Sequence, residues 1–230
     1  MVVLVGAGVG LVVGAFLPSV IAVLPDREPA PDEPVRTPYR VLATAPRLRP
    51  VLAVATAATW AVLAAARGWS VDLPAYFAVG ALGVALSYID LREHRLPDPL
   101  VAAAAAAGAG LLAVAAGLTE GWAAYGQAWL VAAVMFLAFL GLAILRPADL
   151  GMGDVKLAGV LGLMLGWLGW PTAVLGAFLG FLFGGLVGLV LLLAGRVGRR
   201  TQIPFGPFML LGALVAVAAG EPLLDAYLGR

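Results

Sequence analysis

Apolar residues run through this chain in long blocks separated by short polar stretches rich in Pro, Gly, Arg and Asp. The blocks approach the length of about 20 residues that carries a helix across a hydrocarbon core. The pattern predicts eight helices, near residues 2–24, 48–66, 73–90, 98–117, 122–145, 155–170, 171–194 and 203–220. The fold expected is an all-α, polytopic membrane helix bundle of about eight transmembrane helices. The sixth block is the shortest and meets the seventh at Pro171 with almost no loop, which suits a partly inserted or strongly tilted helix. The first block has no basic start, and its apolar run is longer than the 7–15 residues usual in a secretory signal, so it reads as a retained span.

Composition supports the bilayer and narrows the chemistry. Hydrophobic residues make up 63% of the 230 residues and charged residues 12%, with a mean hydropathy of +1.03; soluble domains carry about 25% charged residues. A net charge of +1 argues against a nucleic-acid partner. With no cysteine and the single histidine His94, disulfides, thiolate nucleophiles and multi-histidine metal centres are excluded. Hydrolytic chemistry must then rest on carboxylates, hydroxyls and backbone groups, with no metal or cofactor expected.

If loops alternate sides, twelve of the 14 Lys and Arg fall on one side: Arg27, Arg36, Arg40, Arg47, Arg49, Arg92, Arg95, Arg146, Lys156, Arg196, Arg199 and Arg200. Only Arg67 and Arg230 fall on the other. Basic loops concentrate in the cytoplasm, so both termini are expected outside. Residues 25–49 are too short and too proline-rich for a folded domain, and read as an irregular cytoplasmic linker whose mixed charges are solvated. Gly6, Gly10 and Gly14 in the first block, and Gly176, Gly180, Gly184 and Gly188 in the seventh, recur every fourth residue, the spacing that lets two helix backbones approach.

Two acids stand out on the basic side. Asp90 lies near the end of the third block, before Leu96-Pro97-Asp98-Pro99 stops the helix. Asp154 follows Gly151-Met-Gly153, whose glycines allow a tight turn into a helix start. An acid at a membrane span is costly and usually lines a site or a relay. Free N–H groups and the dipole at a helix start favour an ionised Asp154, whereas the end of a helix disfavours a charged Asp90, an effect that Arg92 and Arg95 could offset. The plain alternatives are that Asp154 caps a helix and that Asp90 pairs with Arg92 or Arg95. For Asp98 and Asp149 the ordinary interfacial reading is favoured. Lys156 is either a positioning group or a topology determinant.

Together these motifs resemble a known family. Asp90-x5-Leu-Pro97-Asp98, followed two spans later by Gly151-Met-Gly-Asp154-Val-Lys156-Leu157, is similar to the paired signatures of the prepilin peptidases, the type IV leader peptidases among the GxGD membrane aspartic proteases. The stretch from Gly10 to Pro25 resembles the family's first-span ending, and Ile203-Pro-Phe-Gly-Pro-Phe208 resembles the opening of its last span. The chain departs from the pattern where the family often has an Asn near the end of the first span and an Arg before Leu-Pro; Pro18 and Val23 occupy those places. It also lacks the two Cys-x-x-Cys pairs of the first loop, and with them the zinc-binding subdomain.

The resemblance implies that residues 1–230 form a single membrane-embedded peptidase domain in the plasma membrane, with its active site on the cytoplasmic side. Asp90 and Asp154 would be the catalytic pair, and Gly151, Gly153, Lys156 and Pro97 supporting motif residues. The implied substrate is a prepilin or pseudopilin whose short basic leader stays in the cytoplasm. N-methylation of the new terminus, known in relatives with the cysteine-rich loop, does not follow here. Two other readings stay open: a GxGD protease acting on other membrane peptides, and a small proton-coupled transporter, which would favour acids nearer the midplane and repeated halves.

Overall fold

The computed structural model describes residues 1–26, 36–146, 150–196 and 203–228, with side chains of the last helix described as far as residue 219. Asp149, the acids Glu28, Asp32 and Glu33, and the basic residues Arg27, Arg199, Arg200 and Arg230 lie outside the described residues. Nine α-helices follow in order among the described residues: α1 (Val2–Ala22), α2 (Tyr39–Leu42), α3 (Leu48–Arg67), α4 (Leu73–Glu93), α5 (Asp98–Thr119), α6 (Trp122–Leu145), α7 (Met152–Leu168), α8 (Trp170–Leu193) and α9 (Gly206–Leu228). The described residues are all-helical in their regular structure, and every predicted block corresponds to a helix.

Six of these helices, α1, α3, α4, α5, α6 and α8, are long and apolar enough to cross a membrane. The seventeen-residue α7 is about 25 Å long at 1.5 Å per residue, short of a full hydrocarbon core. It turns directly into α8 through Gly169, whose φ of +125° is open to glycine and closed to most other residues. Large apolar side chains including Leu4, Phe16, Leu137, Phe178 and Leu182 face outward. A surface this apolar is expected of helices bathed in lipid.

Small residues set which helices pack closest. Gly10 and Gly14 of α1 lie against the backbone of α3, where a Cβ at Gly14 would stand 2.5 Å from the Leu52 carbonyl oxygen. Gly162 and Gly166 of α7 meet Val131, Ala132 and Ala128 of α6, and Gly180 of α8 meets Met209 of α9. The four-residue glycine repeats therefore serve close helix contact, as their spacing predicted. In contrast, α4 and α7 share α5 and α9 as neighbours but have little backbone packing of their own.

The linker is more ordered than its composition predicts. Its described part forms the short helix α2, which docks on the end of α4. The Tyr39 N–H donates to Asp26, the Thr37 N–H to Glu93, and the Tyr88 hydroxyl to the Leu42 carbonyl. Arg95 lies over the Tyr39 ring at 4.1 Å. Burial holds the Tyr39 hydroxyl above its ordinary pKa, with the Arg95 charge opposing.

Candidate active site

The helix carrying Asp90 continues one turn beyond the predicted end, because no proline intervenes before Pro97. It stops where His94 adopts a left-handed conformation at φ +50° and its N–H bonds the Asp90 carbonyl at 2.9 Å. Asp90 is thus inside α4 and only 4% exposed. Its carboxyl Oδ2 accepts the Gly206 N–H at 3.0 Å, from the first residue of α9. Neither Arg92 nor Arg95 is ion-paired with it among the described residues; Arg92 lies over the Tyr88 ring at 5.8 Å and Arg95 over Tyr39.

Asp154 occupies the first turn of α7. Its Oδ2 accepts the Gly151 N–H at 3.1 Å, and its own N–H donates to the Gly151 carbonyl at 3.0 Å. Gly151 is thus the capping residue and Asp154 the third residue of the helix, bonding back to the cap rather than being it, and it lies close enough to Asp90 for that carboxyl's charge to act on it. Each carboxyl has one backbone N–H donor, so these donors do not distinguish the two. The expected asymmetry of protonation has no support from them.

The two glycines beside Asp154 act differently from the expected flexible turn. Gly151 has an ordinary φ of −81°, and Gly153 is already helical. What Gly153 supplies is space: a Cβ there would stand 2.9 Å from Leu96 Cβ. The buried Leu96 side chain also reaches the other half of the site, its methyls lying 3.2 and 3.4 Å from where a Cβ on Gly206 would be. One leucine thus packs against the residue before Asp154 and against the donor to Asp90. Its neighbour Pro97 precedes α5 and ends the extended link that carries Leu96 into this position.

Lys156 points elsewhere. Its Nζ pairs with Asp98 Oδ1 at 2.7 Å, with side chains 42% and 69% exposed. An ion pair so open contributes about 0–1 kcal/mol. Lys156→Met is accordingly expected to lower stability by no more than about 1 kcal/mol and to reduce turnover less than about threefold, as measured by thermal unfolding and peptide cleavage.

Sequence reading singled out Asp90, Asp154, Gly151, Gly153, Pro97 and Lys156. The structure brings the first four into one cluster, with Pro97 at its edge and Lys156 on Asp98. It adds Leu96 and Gly206, both of which stood in motifs whose contacts are long-range and therefore silent in sequence. Beside the cluster an apolar groove of about 350 Å³ runs between α3, α4, α7 and α9. Ser87 and Leu91, which flank Asp90, and Pro207, next to Gly206, are part of its wall. Among the described residues no group of three or more His, Cys, Asp and Glu is placed to hold a metal ion.

Residues 76–193, which include both acids, match the family model described as the type IV leader peptidase family. The chain is 31% identical over 171 residues to a prepilin leader peptidase/N-methyltransferase of Legionella pneumophila, covering 70% of this chain and 55% of that relative. A protein of the same description from Burkholderia pseudomallei (strain K96243) is 32% identical over 182 residues, covering 75% and 55%. One from Bacillus subtilis (strain 168) is 32% identical over 97 residues, covering 42% and 38%. The chain spans about half the length of the first two relatives. No solved structure matches it.

Proposed function

The chain belongs to the type IV leader peptidase family, and from that premise we propose that it is a membrane aspartic endopeptidase that cuts the short basic leader from prepilins or pseudopilins. The observation that carries the reading is the pairing of Asp90 and Asp154 on different helices, each carboxyl fixed by a backbone N–H and Asp154 close enough to Asp90 for that carboxyl's charge to act on it.

Two carboxyls in such a site resist ionising together, so one proton is shared between them. The ionised member accepts a proton from a water molecule as the water oxygen attacks the scissile carbonyl carbon. The protonated member donates to the carbonyl oxygen, giving a neutral tetrahedral gem-diol. Collapse returns a proton to the second carboxyl while the departing nitrogen takes the other, and the C–N bond breaks. Water supplies every atom added, and neither metal nor covalent acyl-enzyme enters the scheme.

The substrate class follows from the family together with the groove. An apolar peptide lying between α3, α4, α7 and α9 has its end beside Asp90. The charge bias of the loops supports eight spans, outward termini and a dyad at the cytoplasmic face of the plasma membrane, where a basic leader resides. A carboxyl pair accounts for peptide hydrolysis alone.

Purified protein in detergent or nanodiscs, incubated with a synthetic prepilin and with an apolar helix of equal length lacking the basic leader, tests the proposal. Cleavage of the prepilin alone, at one bond beside the apolar segment, is expected by mass spectrometry. Equal cutting of both peptides would favour a general membrane protease instead, and folded protein that cuts neither would remove the peptidase reading.

A further inference from the structure

The helices that bear the two acids barely touch through their backbones, yet they are joined by side chains at the end of the bundle remote from the acids. The Tyr76 hydroxyl on α4 donates to the Met164 carbonyl on α7 at 2.8 Å, a buried bond between residues 88 apart in sequence. Asp72, the residue that opens α4, is 4% exposed, and its Oδ2 accepts both the Trp167 indole N–H at 2.8 Å and the Arg67 guanidinium at 2.6 Å. Arg67 ends α3, and its guanidinium lies 5.8 Å from the centre of the Tyr76 ring. Three helix ends thus meet on one buried carboxylate and one phenol.

We infer that Tyr76, Asp72 and Trp167 are positioning residues that set the spacing of Asp90 and Asp154 by fixing the splay of α4 against α7. The inference rests on the Asp90–Asp154 reading for its functional meaning. Tyr76 is four turns of α4 from Asp90, roughly 20 Å along the axis at 1.5 Å per residue. Over such a lever a few degrees of splay at the far end displace a carboxyl by roughly 1 Å, and a misplacement of that order costs about a hundredfold in a positioned reaction. Near the acids, restraint passes through third parties: Gly206 of α9 on Asp90, and Leu96 between Gly153 and Gly206. Among the described residues the remote tether links the two acid-bearing helices by direct hydrogen bonds. A buried hydrogen bond gives a defined length and direction that lipid-facing apolar contact does not.

The chain has no native cysteine, so spin labels at Leu91→Cys on α4 and Met152→Cys on α7, both exposed positions, report the gap between the two helices at the acid-bearing end. Pulsed electron–electron distance distributions are then compared for the labelled parent, Tyr76→Phe, Trp167→Phe and the pair combined. Tyr125→Phe is the control, because its hydroxyl joins α6 to α5 by a similar bond to Ala109 and leaves α4 and α7 untouched. The tether variants are expected to shift or broaden the distribution by a few ångströms, and the control to leave it alone. In unlabelled protein, kcat for prepilin cleavage is expected to fall about tenfold or more in the combined variant with KM changed less than about twofold. Distributions unchanged in both single variants, or changed equally by Tyr125→Phe, would overturn the inference. A parent that cuts no prepilin would count against the peptidase reading alone, since the distances are measured without substrate.

Discussion

Asp154→Asn and Asp90→Asn are each expected to lower prepilin cleavage by at least about a thousandfold while the protein remains folded and membrane-inserted. The size follows from the roles. One carboxyl must take the proton of the attacking water and the other must give one to the carbonyl oxygen, so an amide in either place removes a whole proton-transfer step. The structural cost is small by comparison. Asparagine keeps a carbonyl oxygen able to accept the Gly151 or Gly206 N–H, and no ion pair is lost with either acid among the described residues. Circular dichroism and thermal unfolding should therefore stay near the parent. Normal cleavage by either variant would remove the dyad.

The second large effect is expected at a residue that carries no chemistry. In Gly206→Ala the new Cβ would stand 2.9 Å from Asp90 Oδ2 and 3.2 Å from a Leu96 methyl. Separations under about 3 Å are not sustained, so something must move. The α9 backbone is pinned by Gly180 and Gly212 against α8, which leaves the short Asp90 side chain and Leu96 to give way. Asp90 then loses its bond to the Gly206 N–H and turns from Asp154. A displacement of about 1 Å predicts a loss near a hundredfold in kcat, without a matching fall in unfolding temperature. Gly206→Ser should be as damaging, for the same Cβ. A Gly206→Ala protein with parental kcat would show that this backbone donor does not fix the reacting geometry.

The contrast between these two predictions marks what the sequence made legible. The helices were readable because apolar runs of membrane length admit few alternatives, and the glycine stripes of α1 and α8 named close contacts before any partner was known. Asp90 and Asp154 were readable as costly acids at the ends of apolar blocks. Local geometry was less so. Gly151 and Gly153 suggested a turn needing unusual φ, but one has ordinary dihedrals and the other makes room for Leu96. Arg92 and Arg95 suggested partners for Asp90, but they lie over the Tyr88 and Tyr39 rings. The linker's prolines hid α2, whose stability comes from contacts with α4 that lie far away in sequence.

Least legible were the long-range bonds. Nothing local to Gly206 announces that its N–H meets a carboxyl 116 residues earlier, and nothing in Arg67, counted as a lone charge on the sparse side, announces a buried pair with Asp72. Sequence patterns report what each helix buries; they report poorly which two helix ends come together.

Digestion of one prepilin in water enriched in oxygen-18 by the parent, Asp90→Asn and Asp154→Asn proteins side by side, with the products read by mass spectrometry, decides whether the two aspartates activate water. An activated-water dyad predicts that the parent releases a leader whose new carboxylate carries a single heavy oxygen, and that neither variant releases leader above background. Cleavage that persists in either variant would mean that Asp90 and Asp154 are not the reacting pair.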